Sequence, residues 1–181
     1  MQLELFSEVY YDLETQLSAG EVGGWNNIHL MRVAIGVTWS PEDGFLHWQE
    51  SQAMNLIRYL SGFPRIFSFN GDGFDARVLS MYGDVSEINA RSFDLLTDLK
   101  KRLGHRLSLD SLAVATLNVG KTADGLQSLK WWKEGKIDLI ASYCQQDVQV
   151  LVDLVAFARR KGFVRYSEKM TGEVLTVKVH W

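Results

Sequence analysis

Four carboxylates in three short motifs carry the chemistry legible in this chain. Asp12 and Glu14 stand two apart in DLET, Asp75 ends NGDGFD five residues after Asn70, and Asp147 ends YCQQD four residues after Tyr143. A carboxylate is expensive to bury without a partner. Carboxylates gathered in one place also raise one another's proton affinity. A divalent cation held among them removes both costs, and a pair of such cations suits cleavage of a phosphodiester. Each motif alone has a plainer reading: a solvated strand edge for DxE, a helix-capping aspartate at Asp75, an exposed helical aspartate at Asp147. Their joint presence favours the metal site.

The elements must place these groups. In a strand, residues two apart share a face, so Asp12 and Glu14 project together while Tyr11 and Leu13 pack opposite. On a helix, residues four apart stack, so Tyr143 and Asp147 share a face. That face lies one position before Cys144 and Val148, members of the apolar stripe Ile137, Ile140, Cys144, Val148, Leu151, Val155 and Ala158. The pair is therefore expected to face a sheet. RIFSFNGDGFDARVL reads as strand, turn and helix start, with Gly71 and Gly73 freeing the turn. Asp72 is expected to cap that helix, leaving Asp75 in its first turn.

Strand-like runs at 3–13 and 29–39 flank a loop, QLSAGEVGGWNN, and a shorter strand is expected at Phe45–Trp48 after the turn SPEDG. Helical periodicity follows over 51–60, 74–82, 94–103, 107–117, 126–135 and 136–161, with short strands at 65–69 and 91–93. The tail, 163–181, alternates near its end and is expected to form an edge strand or hairpin. Three antiparallel strands followed by alternating helices and strands predict an α/β architecture, a central mixed β-sheet flanked by α-helices. No repeat or linker divides the chain, so residues 1–181 are expected to form one domain.

Composition narrows the partners. A chain of 181 residues with 46% hydrophobic content can build a core, and a net charge of −3 gives no general footprint for coating nucleic acid. Bound cations would supply positive charge locally. One cysteine, Cys144, excludes an internal disulfide and fits a reducing compartment. No segment reads as a signal peptide or membrane span, so a soluble cytoplasmic protein is expected.

The three motifs, in this order, resemble those of the ribonuclease-H-like 3′–5′ exonucleases of the DEDD group. DLET matches the first motif, Asn70 to Asp75 the second, and Tyr143 to Asp147 the third in its tyrosine form, the DEDDy branch that includes the proofreading domains of many DNA polymerases. LGHRLSLDSLAVATLN and GKTADGLQSLKWWKEGKIDLIASYCQQDV further resemble bacterial and archaeal modules found alone or beside DEAD-box-type helicases. The resemblance implies an RNase H-like fold and two Mg²⁺ or Mn²⁺ ions about 3.5–4 Å apart. Asp12, Glu14 and Asp147 are expected on the first ion, Asp12 bridging to the second, and Asp75 on the second largely through water. Tyr143 would orient the attacking water. The implied substrate is a single-stranded DNA or RNA 3′ end, yielding nucleoside 5′-monophosphates, and a helicase is the implied partner.

Substrate contacts are expected from the backbone of Thr15 and Gln16. Asn70 either bonds substrate or stabilises its own turn, the turn being favoured. Lys100, Lys101, Arg102, His105 and Arg106 read as a solvated helix end or a track for a phosphate backbone. Arg159, Arg160 and Lys161 complement a helix C-terminus. Trp25, Trp131 and Trp132 can stack on bases or pack in the core. Two competing functions remain open: a catalytically idle nucleic-acid-binding or helicase-partner module, and an RNase H-like endonuclease.

Overall fold

A computed structural model describes residues 7–120, 125–168 and 170–181. Its centre is β1 (Glu8–Thr15), rich in aromatic and β-branched residues and buried along most of its length. β1 pairs antiparallel with β2 (Val33–Ser40), which pairs antiparallel with β3 (Gly44–Gln49). On its other side β1 runs parallel to β4 (Arg65–Ser68), and β4 to β5 (Ser92–Asp94). The sheet order is β3-β2-β1-β4-β5, the mixed sheet expected from the sequence. The first strand runs to Thr15, beyond its expected end, and residues 3–6 of that run lie outside the described residues.

Both faces of the sheet are covered. Val9, Tyr11 and Leu13 pack with Leu56, Ile57 and Leu60 of α1 (Ala53–Ser61), with Val78 and Leu79 of α2 (Asp75–Leu79) and with Ile88 of α3 (Ser86–Arg91). Tyr10 enters the opposite core, built on α4 (Leu95–Leu103) and the long α7 (Ile137–Lys161). The predicted stripe of α7 is buried from Ile140 to Ala158, and the helix ends where Gly162 takes a left-handed φ of 75°. Between β5 and α7 lie α4, α5 (Leu109–Leu112), a π-helical turn at Ala113–Leu117, and α6 (Gly125–Lys133). The tail forms a separate hairpin, β6 (Phe163–Ser167) and β7 (Val174–Lys178). Trp181 Nε1 ties this tail to Asp98 of α4 at 2.9 Å.

Several local expectations change. The strand expected from residue 29 begins at Val33, because Trp25–Leu30 forms a 3₁₀ helix and Arg32 turns the chain at a φ of 59°. Asp72 does not cap α2; Ser92 Oγ donates to it, and its amide donates to Asp94. Asp94 is the cap of α4, accepting from the Leu96 and Thr97 amides. Arg159 does more than complement a helix end. It makes a bidentate pair with Glu8, both contacts 2.7 Å, and Tyr10 adds a hydroxyl donor at 2.8 Å. Burial raises the Glu8 carboxyl, but Arg159 and Tyr10 outweigh it and hold the group below its ordinary value.

Gly71 marks a close approach. A Cβ there would lie 2.2 Å from Ser68 Oγ, 2.6 Å from Ser68 Cβ and 3.0 Å from the Tyr11 hydroxyl. Gly71→Ala is therefore expected to cost about 1–3 kcal/mol by overpacking, read as a lower midpoint in urea at unchanged slope. An unchanged midpoint would show that the turn yields freely.

Candidate active site

Strand alternation delivers Asp12 and Glu14 to the α7 side of β1, where Val37 and Ile35 are their cross-strand neighbours. α7 lies against this face. Cys144 Sγ donates to the Asp12 carbonyl at 3.3 Å and to Asp12 Oδ2 at 3.4 Å. One residue earlier, Tyr143 lies four positions before Asp147 on the same helix face, close enough for that carboxylate's charge to raise its phenol. One carboxylate oxygen from each of Asp12, Glu14 and Asp147 lies within 4.8 Å of the other two.

Asp75 arrives from the other side of β1. The parallel ladder between β1 and β4 ends at Tyr10 opposite Phe67, so the Leu13 amide lies past it. Asp75 Oδ1 accepts that amide at 3.2 Å from the first turn of α2. Two turns of chain hold it there. Asn70 sits at a left-handed φ of 70°, its carbonyl accepting the Gly73 and Phe74 amides at 3.1 and 2.9 Å. Asp94 in turn accepts the Asn70 amide at 2.8 Å. Asp12, Glu14, Asp75 and Asp147 all line one cavity of about 660 Å³ at the carboxyl ends of β1 and β4, the usual ligand position in such sheets.

The electrostatics suit cations. Burial, then Asp75, Asp147 and Glu14, push the Asp12 carboxyl well above its ordinary range. Burial pushes Glu14 up to about 8, with Asp147 and Asp75 adding to it. The Ser128 hydroxyl offsets part of this rise, by more than either neighbouring acid adds, without closing a well-formed hydrogen bond. Burial likewise pushes Asp75 up to about 7, against the amides it accepts. No lysine or arginine is among the described residues lining the cavity. An all-carboxylate donor set short of positive charge fits hard, oxygen-seeking divalent ions such as Mg²⁺ or Mn²⁺.

Tyr143 lies beyond Asp147, lining an adjoining cavity of about 400 Å³ with Asp12, Asn70 and Arg106. Burial and then the charges of Asp147, Glu14 and Asp12 raise its phenol, so it stays protonated at neutral pH and can donate. Trp131 packs edge-on to it at 6.4 Å. Thr15 lines the main cavity, its hydroxyl donating to the Leu17 carbonyl at 3.1 Å. Gln16 is turned inward. Its amide donates to Arg32 at 3.0 Å, and Nε2 donates to Val33 and Glu50, each at 2.8 Å. Asn70 forms its turn through its backbone and also lines the main cavity, and its side chain accepts from Arg106 at 3.2 Å. The sequence offers Arg106 as part of a solvated helix end or a phosphate track and Cys144 as part of an apolar stripe; neither contact has a local signal.

This fold and this site define an RNase H-like α/β domain. A family model of the RNase H superfamily matches residues 9–159, and the chain belongs to that superfamily. The family B DNA polymerase from the hyperthermophilic archaeon Pyrobaculum calidifontis superposes with a TM-score of 0.62 at 12% identity, over 84% of this chain and 24% of its own. Exonuclease I in its apo form gives 0.48 at 13% identity, over 85% of this chain and 42% of that one. The chain thus spans about a quarter of the polymerase's length, and the likeness to it is one of fold. No curated protein matches the chain. Among the described residues, no helix is long and apolar enough to cross a membrane.

Proposed function

We propose that this protein is a divalent-metal-dependent 3′–5′ exonuclease of the DEDDy type, acting on single-stranded nucleic-acid ends and releasing nucleoside 5′-monophosphates. The observation carrying the proposal is the convergence of three separated carboxylate motifs on one cavity whose described lining holds no cationic side chain. Divalent ions held there would neutralise the carboxylates, polarise the scissile phosphate and acidify a water molecule. Asp12, which feels the charges of Asp75, Asp147 and Glu14, would be the ligand shared between the ions, and Asp75, outside the group of three, would hold the second. Tyr143, kept protonated, orients a water or phosphate oxygen by hydrogen bonding rather than taking its proton. Thr15 borders the space for the terminal sugar. The likeness to modules beside DEAD-box-type helicases makes a helicase the partner class that would deliver such ends.

A 5′-labelled oligonucleotide with Mg²⁺ or Mn²⁺ is expected to shorten as a ladder from its 3′ end and to resist when that end is blocked. Internal cuts would instead indicate an endonuclease, and binding without cleavage an idle module. Parallel DNA and RNA substrates fix the sugar preference.

A further inference from the structure

Trp25 opens the 3₁₀ helix at Trp25–Leu30 and leaves its indole 67% exposed, an uncommon setting for so large an apolar group. It lines two cavities. One is the acid-bearing cavity; the other, about 350 Å³, is bounded by Trp25, Ile28, Asn70, Gly73, Phe74 and Arg106. Trp25, Asn70 and Phe74 are shared and so form the partition between them. The two differ in charge. The first is lined by four carboxylates, whereas the described lining of the second carries no acid and one guanidinium. Arg106 is exposed, and its Nη2 donates to Asn70 Oδ1 at 3.2 Å, which holds the guanidinium at the partition. That bond uses one of its five N–H donors.

We propose that this second cavity is the subsite for the nucleotide preceding the one removed, its base stacked on Trp25 and its phosphate held by Arg106. The inference rests on the exonuclease reading above. An indole face accepts any base, and a guanidinium matches phosphate geometry. The volume lies at the small end of ligand pockets, which run roughly 300–1,000 Å³, and suits one nucleotide. A chain end therefore grips the protein by two units, one among the acids and one behind Trp25.

The test compares a single-stranded tetranucleotide with thymidine 5′-phosphate p-nitrophenyl ester, which occupies the acid-bearing cavity alone. The ratio of kcat/KM on the tetranucleotide to that on the ester is expected to fall about tenfold in Trp25→Ala and in Arg106→Met, in line with the value of one base stack. Trp25→Phe, which keeps a stacking face, is expected to restore most of it. An unchanged ratio in Trp25→Ala overturns the proposal. A loss confined to Arg106→Met does so too, and sends the strand past Tyr143 instead. If the wild-type protein hydrolyses neither substrate, the exonuclease reading fails on its own. Fluorescence anisotropy with a 5′-fluorescein tetranucleotide then decides the subsite: binding about tenfold weaker in both variants supports it, and unchanged binding sinks it.

Discussion

Asp12→Asn is expected to lower hydrolysis by about 10³-fold and, in EDTA at pH 8, to raise the melting temperature of the same protein. The two effects have one origin. Asp12 lies within reach of Glu14 and Asp147, and burial and those acids make its charge unfavourable when no cation compensates. Asparagine keeps the shape and still offers an oxygen to the Cys144 thiol, but it removes the negative charge that a shared cation needs. The measurements are the 3′-end ladder with Mn²⁺ and a thermal melt in EDTA. Full activity would show that Asp12 is not a ligand, and a lower metal-free melting temperature would show that its charge stabilises the fold.

The second large effect is a reversal of the usual pH trend by metal. Glu14 rises from an ordinary 4.5 to about 8, and Asp75 from 3.8 to about 7, both chiefly through burial. Below about pH 4 the folded and unfolded chains are both largely protonated at these groups. Above it the unfolded chain releases protons that the folded chain keeps, so metal-free stability falls as pH rises towards 8. The slope is about 1.4 kcal/mol per pH unit for each group between its ordinary and its raised value. Glu8 acts with the opposite sign, its pair with Arg159 failing only as pH drops below the ordinary carboxylate range. Melting temperatures in EDTA are expected to decline from pH 5 to pH 8, and Mn²⁺ to restore them most at pH 8 and least at pH 5. Equal increments of Mn²⁺ stabilisation at both pH values would place the binding elsewhere.

What was legible in the sequence was whatever repeats along it. A period of two put Asp12 and Glu14 on one face of β1, and a spacing of four put Tyr143 and Asp147 on one face of α7. The order of strands and helices followed from the same periodicities, and Asp75 fell in the first helical turn as expected. What periodicity does not encode is which distant side chains meet. Glu8 and Arg159 lie 151 residues apart, and Cys144 and Asp12 lie 132 apart. The inward turn of Gln16 depends on Glu50 and Val33, reached only after a bend at Arg32. Asp72 looked like a cap because it stands beside the turn, but Ser92 on the neighbouring strand claims it.

The pairing of β1 with α7 also has a bearing on synthesis. Asp12 leaves the ribosome more than a hundred residues ahead of the helix turn bearing Cys144 and Asp147. A nascent or prematurely terminated polypeptide ending before that turn would carry three of the four acids and still lack the wall that closes them into a cage. Closure of the acidic cavity thus waits until α7 has been made.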